Sequence, residues 1–415
     1  MDSTAQPRND WTLLIRPRDP LILRDARPFT ADPGARAFSL DWSLPSTIAG
    51  ALRTHIGSLS NVNWENWRQE RNGRSQEHPL QRVEILAGLR ADRLPGEDSW
   101  RVGVPAPADA LAYKDPNGKL EITRLRPDPL GADEGCNLPD IDGEQLLPIQ
   151  IESPNKPDSA GTFWSLQATV RWLLGETMLP DASDRWPALL DDTRVHVRVA
   201  RETLTAAQGY LFSTTGLAFG PALRRPSTNG QDPSEQHPET AILCRIRAPE
   251  ALSWQPDRAF IPIGGERRQA RLDPTPSLQV NPWDIPEDLA LKLAGRTRFR
   301  LQLVTPAIFR EGWRPGWLTP RRPNEVPAPL AGLGVRLRAM VTGRRIAISG
   351  WDATHRCEKP LRYAVPAGSV LFFETSRPLT LDEARRLWLL PISDGARNRR
   401  DGFGLALPGV WEDQW

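Results

Sequence analysis

The sequence predicts an α+β protein with two tandem domains. Segments in which apolar and polar residues alternate, as in strands with one buried face, outnumber the segments with helical periodicity. The order strand, helix or insertion, strand, strand, helix, strand occurs twice, and this is the ferredoxin-like pattern. At 415 residues the chain is long enough for two or three domains. We place a first ferredoxin-like domain at residues 1–285, with an insertion at about 60–160, and a second one at residues 286–415.

The first half begins with a strand and a helix. A proline-marked strand at Trp11–Leu23 precedes a helix at Leu44–Leu59, for which Ser46 is the expected N-cap. Residues 60–160 show little periodicity, and we interpret them as the insertion. A second helix is predicted at Thr162–Gly175, with a glycine at its end. The remaining elements are strands at 193–200, 209–220, 240–248 and 258–272, with a mobile polar loop at 221–239.

The second half follows a connector at Asp273–Asp288 and repeats features of the first. The segment Pro306–Pro315 after its first strand is similar to Pro20–Pro28, and each half has a glycine turn before its last strand. We interpret this as an internal duplication. Strands are predicted at 296–309, 334–352, 366–374 and 401–411, and a helix with a Thr380–Glu383 capping box at 380–391.

The composition limits the function classes. Net charge is only +2, but just five of the 53 basic residues are lysines. Arginine suits phosphate binding and base stacking, although a GC-rich genome gives the same bias without any function. Sixteen tryptophans and 41 prolines indicate a loop-rich protein with surface to bury against partners. The three scattered cysteines lack metal or redox spacing, and no transmembrane run or signal peptide is evident, so we expect a cytoplasmic protein.

The segment Phe260–Leu272 contains a Gly-Gly-acid turn, GGERR, that has three interpretations. A two-metal site needs at least two converging carboxylates, but Glu266 is followed by Arg267 and Arg268. A phosphate-binding loop fits better, because the glycines Gly264 and Gly265 allow backbone amides to approach an anion. A plain turn between strands is the third interpretation. We expect no metal here and expect Glu266 to orient an arginine.

Two further loops carry arginines. In the segment Arg24–Phe29, RDARPF, Asp25 can hold Arg24 or Arg27 for a phosphate, with Phe29 stacking, or the loop is only an ion-paired sheet edge. The start of the first helix offers free N–H groups at Ser46 and Thr47.

The segment Phe309–Trp317, FREGWRPGW, interleaves Arg310, Trp313 and Arg314. This pattern suits single-stranded nucleic acid or a protein interface equally well. Arginines also alternate along three predicted strands, which gives either a basic sheet surface or, as we favour, the solvated face of an antiparallel sheet. These are Arg194 and Arg198 around His196, Arg298 with Arg300, and Arg336 with Arg338.

Known catalytic patterns are missing from the sequence. It has no nucleophile elbow, nucleotide-hydrolase phosphate loop, zinc-protease pattern or kinase set. His55 and His196 are candidate general bases for a metal-independent ribonuclease, but neither has an evident partner. We therefore expect neither catalysis nor a cofactor.

Eight segments occur in the order typical of a known family. They are LILRDARPF, LPSTIAGALRT, HVRVARETLTAAQGYLF, FIPIGGERRQA, LVTPAIFREGW, ISGWD, KPLRYAVPAGSVLFFE and GFGLALPGVW. Together they resemble the RAMP-superfamily subunits of Cmr (type III-B CRISPR) effector complexes that bind the 5′ tag of the CRISPR RNA. The resemblance covers about Trp11–Leu59 and Thr193–Trp411, and it does not cover residues 60–160.

The resemblance implies a non-catalytic ribonucleoprotein subunit for antiviral defence, made of two ferredoxin-like (RRM/RAMP) folds. It implies three partners: the 5′ tag of the CRISPR RNA, the large palm-domain CRISPR subunit and the backbone RAMP subunit. A RAMP endoribonuclease that processes precursor CRISPR RNA is the alternative. The RNA-binding residues that the resemblance implies are Arg24, Arg27, Ser46, Thr47, Arg53, Gly264, Gly265, Arg267, Arg268, Arg310, Trp313, Arg314, Gly402, Phe403 and Gly404.

Overall fold

Two antiparallel sheets form the frame of the protein in a computed structural model. The structure describes residues 8–27, 36–64, 78–131, 133–141, 144–151, 156–220, 238–252, 254–319, 322, 325–352 and 357–412. One sheet has eight strands, and the other has five. The mixed α+β class predicted from the sequence is confirmed.

The strands up to the connector are β1 Arg8–Pro17, β2 Arg36–Ala37, β3 Glu84–Arg93, β4 Arg101–Pro105, β5 Ala110–Lys114, β6 Leu120–Arg124, β7 Arg126–Pro127, β8 Asp140–Ile141, β9 Glu144–Gln145, β10 Ile149–Gln150, β11 Pro157–Asp158, β12 Phe163–Ser165, β13 Arg185–Trp186, β14 Leu190–Val199, β15 Ala206–Ala218, β16 Glu239–Pro249, β17 Phe260–Ile263 and β18 Arg268–Pro274. The later strands are β19 Arg298–Leu303, β20 Arg336–Val341, β21 Ile346–Ile348, β22 Trp351–Asp352, β23 Cys357–Glu358, β24 Arg362–Ala364, β25 Val370–Glu374, β26 Leu390–Pro391 and β27 Leu405–Val410. The α-helices are α1 Pro45–Leu59, α2 Leu166–Leu173, α3 Glu287–Leu293, α4 Leu381–Arg386 and α5 Ala396–Arg400.

The two large sheets have the same central strand order. The eight-stranded sheet has the order β13-β12-β4-β3-β16-β1-β18-β17, and the five-stranded sheet has the order β20-β25-β19-β27-β26. In each, the first strand of the half, β1 or β19, lies between the last long strand and a middle strand and pairs antiparallel with both. The middle strand, β16 or β25, pairs in turn with the second strand, β3 or β20. The eight-stranded sheet thus contains only strands that end by Pro274, and the five-stranded sheet only strands that begin after Glu287. The domain boundary at residues 285 and 286 stays a prediction.

The helices predicted at 44–59, 162–175 and 380–391 form as α1, α2 and α4. In the part of the chain that the structure describes, however, each half lacks one helix of the ferredoxin-like order. The first half has no α-helix between β16 and β18, and the second has only 3-10 turns between β19 and β20. Prolines explain the second case, because Pro306, Pro315, Pro327 and Pro329 break any continuous helical hydrogen bonding there. The capping box on α4 is confirmed, since Thr380 Oγ1 accepts a hydrogen bond from the Glu383 N–H at 3.2 Å.

Two strands of the first sheet lie inside the predicted insertion, where no sheet strand was expected. β3 and β4 lie within residues 60–160, yet β3 occupies the middle of the sheet, beside β16. All eight interior residues of β3 are buried, so the strand has no solvent face, and its first part, residues 85–89, is apolar or glycine throughout. Its one buried guanidinium, Arg90, is neutralised by Asp92 at 2.8 Å.

Two helix starts also differ from the predictions. Residues 163–165 pair in β12, so α2 begins only at Leu166, where Ser165 Oγ accepts a hydrogen bond from the Ala168 N–H at 3.1 Å. The N-cap of α1 is Leu44 rather than Ser46, because Pro45 takes the first helical position. No helix in the described ranges is long and apolar enough to cross a membrane.

The hairpin β14–β15 turns its valines outward. On β14, Val195, Val197 and Val199 have exposed fractions of 69%, 49% and 53%, and Arg194 and Arg198 on the other face are exposed too. The strand itself forms as predicted, since β14 pairs with β15 along most of its length. Residues 221–237 of the predicted polar loop lie outside the described residues.

Strand β19 of the second sheet is covered on both faces, which contradicts the solvent-facing arginines predicted there. Arg300 and Gln302 each have 1% of their surface exposed. Arg300 forms an ion pair with Asp109, which lies between β4 and β5, and donates to the carbonyl oxygen of Trp172 at 2.6 Å. Residues of the first half thus cover the outer face of β19. The other face contributes Leu301 to a core that also contains Leu14 of the first sheet.

Candidate nucleic-acid interface

The loop after β1 lies against the first glycine turn. The Gly265 N–H donates to the carbonyl oxygen of Ile22 at 2.8 Å. On the other side, the Leu40 N–H donates to the Leu23 carbonyl at 2.7 Å and the Asp25 N–H to the Phe38 carbonyl at 3.1 Å. The structure thus brings together two of the segments that the sequence analysis selected separately.

The arginines of this first loop point outward. Arg27 forms an ion pair with Asp25 while 64% of its side chain remains exposed, and its guanidinium lies 4.1 Å from the ring centre of Phe38. Arg24 is also exposed, and its Nη2 donates to the Arg27 carbonyl at 3.4 Å. Of the two arginines that Asp25 was expected to hold, Arg24 or Arg27, it therefore orients Arg27. Phe29 lies outside the described residues.

The glycine turn is shaped by close packing. Gly264 has a φ of +72°, and a Cβ there would lie 2.8 Å from the Ile22 carbonyl oxygen, so only glycine fits. The Gly265 N–H donates to the Ile22 carbonyl oxygen and so is not available to an anion in this structure. Arg267 is exposed, with a left-handed φ of +50°. Glu266 accepts from Arg268 at 2.8 Å and so orients an arginine, as expected.

The candidate RNA-binding residues on α1 are less exposed than the arginines of the first loop. The Thr47 N–H donates to the Leu44 carbonyl at 3.0 Å, so it is not a free helix-start donor, and Ser46 is half-buried beside it. Arg53 forms an ion pair with Asp401 and donates to the Val83 carbonyl at 2.8 Å. With 17% of its side chain exposed, Arg53 connects α1 to the end of α5 rather than facing solvent.

A buried carboxylate organises the second loop. Asp394, 2% exposed, accepts hydrogen bonds from the N–H groups of Arg310 and Gly316 at 2.8 Å and of Trp317 at 3.2 Å. Three converging amides fix the path of the segment between these residues. The sequence analysis missed Asp394, and only its place directly before the Gly395 turn hinted at a structural role.

The side chains on this second loop differ in exposure. Arg310 pairs with Glu325 at 2.7 Å, and this hydrogen bond raises the pKa of the Arg310 guanidinium. Trp313 is 38% exposed, while Trp317 is buried and donates its indole N–H to the Ile392 carbonyl at 2.7 Å. Arg314 is half-buried.

The terminal glycine turn is used in packing. The N–H groups of Gly402, Phe403 and Gly404 donate to the carbonyls of Arg399, Asn398 and Pro306 at 2.9–3.0 Å. A Cβ at Gly402 would lie 2.5 Å from the Ile85 carbonyl oxygen of β3.

Phe403 has none of its surface exposed. The expectation that this turn binds RNA directly is therefore not supported by its geometry, and it joins the two halves instead.

The two loop regions meet through apolar contacts. Leu40, next to the first loop, packs against both the first-domain core and a small cluster in which Leu44 meets Ile308 and Phe403. The two loops thus lie next to residues of one shared apolar cluster. The first loop carries the exposed arginines, and the second carries the exposed Trp313. Exposed arginines beside aromatic rings bind phosphates and stack on bases, and they supply no nucleophile.

The candidate general bases are held by local contacts. His55 Nε2 lies 3.7 Å from Asp257 Oδ1, and His196 Nε2 lies 2.9 Å from Thr214 Oγ1 and stacks on Phe212. Neither histidine contacts a candidate residue in these interactions. Among the described residues no group of three or more histidine, cysteine, aspartate or glutamate side chains can hold a metal ion.

Sequence reasoning missed two residues of the first loop region. Arg36 is exposed on β2, which pairs with β15, and Phe38 carries the Arg27 guanidinium on its ring. The fragment Arg36–Phe38 has no clear periodicity, and only its tertiary pairing with β15 places it there.

The fold and this surface define a two-sheet α+β protein whose exposed loop arginines suit an anionic partner. The sequence model of the CRISPR-associated protein family Cas_Cmr3 matches residues 13–411, and the chain therefore belongs to this family. A search of curated proteins gave no match.

Two solved structures align with most of the chain. One is a chain of the cryo-EM structure of the Type III-B Cmr-beta bound to cognate target RNA, with 15% identity, a TM-score of 0.43, and coverage of 87% of this chain and 86% of that one. The other is from the same complex bound to cognate target RNA and AMPPnP, state 1, with 14% identity, a TM-score of 0.41 and the same coverage.

Proposed function

We propose that this chain is a non-catalytic subunit of a type III-B CRISPR effector complex that binds the 5′ tag of the guide CRISPR RNA. Membership of the Cas_Cmr3 family supports the CRISPR assignment. The observation that carries the RNA-binding role is the contact between the first arginine loop and the glycine turn, which share the Ile22 carbonyl and leave Arg24, Arg27 and Arg267 exposed.

We assign a role in RNA binding to each residue according to its exposure. Phosphate contacts fix the register of a nucleic acid without reading its sequence, and in RNA-guided complexes base pairing reads the target. Arg24, Arg27 and Arg267 would bind tag phosphates, and Trp313 would stack on a base. Gly264, Gly265 and Gly402 would position these loops, because their geometry serves close backbone packing.

The proposal also includes a tandem ferredoxin-like architecture and two protein partners. The shared central strand order of the two sheets supports a tandem ferredoxin-like architecture. The large palm-domain subunit and the backbone RAMP subunit would cover further surface, which suits a chain with a net charge of only +2. A cytoplasmic location stays a prediction.

Removing one exposed arginine should weaken binding of an RNA that carries the tag. For Arg24→Ala or Arg267→Ala we expect a loss of about 1–2 kcal/mol and a salt dependence shallower by about one phosphate contact. Fluorescence anisotropy at several salt concentrations measures both quantities. Arg171→Ala, an exposed arginine on α2 paired with Glu176, is the matched control and should bind like wild type. Wild-type binding by both test variants would contradict the proposed RNA surface.

A cleavage assay distinguishes the proposed non-catalytic subunit from the alternative, a ribonuclease that cuts precursor CRISPR RNA. Because His55 and His196 interact with Asp257 and Thr214 rather than with the loop arginines, we expect the purified subunit to leave repeat RNA intact. Gel analysis of end-labelled repeat RNA measures this. Specific cutting that disappears in His55→Ala or His196→Ala would overturn the non-catalytic assignment.

A further inference from the structure

A hairpin of the second half lies beside the second loop and has an aromatic outer face. Its strands β21 and β24 pair through Ala347 and Tyr363, and β22 and β23 extend it through Trp351 and Glu358. The segments ISGWD and KPLRYAV form much of this hairpin. None of their residues has a role in the function proposed above.

The inner face of the hairpin fixes its position next to the second loop. Ile348 and Ala364 are 2% and 1% exposed and pack with Ile308 in the apolar cluster between the two loop regions. Directly after β24, Val365 and Ala307 exchange two backbone hydrogen bonds, at 2.8 and 2.9 Å. Because Ala307 and Ile308 lead straight into the second loop, the hairpin and this loop form one continuous surface.

The outer face of the hairpin exposes three large side chains. Tyr363 has 44% of its surface exposed, Leu361 53% and Trp351 58%. Alternation along the strands places all three on the face of Ala347, opposite the buried residues. Large apolar side chains grouped on one exposed face indicate a binding surface.

Arginines lie at the end of the hairpin next to Val365. Among the described residues, Arg344, Arg345 and Arg362 form no ion pair with a carboxylate. Arg344 and Arg345 are exposed, and the Arg345 guanidinium lies 4.0 Å from the ring centre of Tyr363. Arg362 donates to a neutral side-chain oxygen, that of Asn398, at 2.9 Å. These guanidiniums therefore keep their charge available to an anionic ligand.

Two observations select single-stranded RNA as this ligand. First, guanidiniums without carboxylate partners attract phosphates, and here they lie where the hairpin joins the second loop, so one RNA strand can contact both. The carboxylate of Glu358 lies at the other end, opposite Trp351, where a stacked base rather than a phosphate would lie. Second, exposed aromatic rings beside arginines are the side chains on which the bases of single strands stack.

We propose that the outer face of this hairpin binds further unpaired nucleotides of the CRISPR RNA, with bases stacked on Trp351 and Tyr363 and a phosphate on Arg345. This inference rests on the proposed function, because it extends the same RNA-binding surface beyond the two loops.

Single abasic substitutions along an RNA that carries the tag and part of the guide test the stacking. In wild type, removing the base that stacks on Trp351 should weaken binding about five-fold. Trp351→Ala should bind the intact RNA about five-fold more weakly, and the same abasic position should then cause no further loss. Tyr363→Ala should show this coupling at a different position. Fluorescence anisotropy measures each affinity.

Two control variants accompany the test. Leu291→Ala removes a side chain of similar exposure, 57%, on α3 and should bind every RNA like wild type. Trp351→Phe keeps an aromatic ring and should retain most of the affinity and the coupling, which separates lost stacking from a folding defect.

The inference is overturned if Trp351→Ala and Tyr363→Ala bind the intact RNA like wild type, or if their losses are the same at every abasic position. Unchanged RNA affinity with lost association to the other subunits of the complex would assign the face to a protein instead. The proposed function survives these results if Arg24→Ala and Arg267→Ala still weaken binding. A wild-type chain that binds no tag RNA would overturn both.

Discussion

Asp109→Ala is expected to destabilise the protein by about 3–5 kcal/mol, because it leaves a buried guanidinium without its carboxylate. Arg300 is 1% exposed and Asp109 is fully buried. Burial lowers the pKa of the Arg300 guanidinium because desolvation disfavours its charged form, and the ion pair with Asp109 compensates the buried charge. Asp109 Oδ1 also accepts the indole N–H of Trp172 at 2.9 Å, and this bond would be lost as well.

Urea unfolding followed by tryptophan fluorescence measures this effect, since Trp164 and Trp172 are buried close to the pair. Asp184→Asn is the matched control: its ion pair with Arg101 is partly exposed and should contribute about 1 kcal/mol or less. The double variant Asp109→Leu/Arg300→Met should recover part of the loss, because no unpaired charge remains. A single Asp109→Ala change no larger than the control would show that the pair is not needed for stability.

The second large effect concerns Asp394 and links stability to RNA binding. Asp394→Ala would leave three backbone N–H groups without an acceptor, at about 1–3 kcal/mol for each one that stays buried. We expect a loss of about 3 kcal/mol or more. The segment from Arg310 to Trp317 would lose its fixed path, so tag-RNA affinity should fall even though the carboxylate itself repels RNA.

Asp394→Asn is the informative comparison. The asparagine side-chain oxygen can still accept hydrogen bonds from some of the three backbone N–H groups, so this variant should lose less stability than Asp394→Ala. Thermal unfolding measures the loss of stability. Fluorescence anisotropy with tag RNA, at a temperature at which the variants are folded, measures the loss of affinity. If Asp394→Ala is destabilised but binds tag RNA like wild type, the second loop takes no part in binding. Unchanged stability would contradict the anchoring role derived from the three hydrogen bonds.

Local sequence signals predicted several elements correctly. The alternation in β14 and β19 and the capping box of α4 depend on neighbouring residues only, so the sequence contains the whole signal. The acid in the glycine turn orients an arginine, as its neighbours Arg267 and Arg268 indicated. The alternation in β19 did not reveal that both of its faces are buried.

By itself, the sequence determined the α+β class, the repeated strand pattern, the family and the arginine loops, because each is encoded in short ordered segments. Only the tertiary structure decided which of those groups face solvent. It placed β3 and β4 inside the first sheet, enclosed Arg53 and Arg300 in ion pairs, and used the amides of Gly265 and Gly402–Gly404 in packing. The physical reason is that exposure and pairing depend on contacts between residues far apart in the chain, which no local pattern contains.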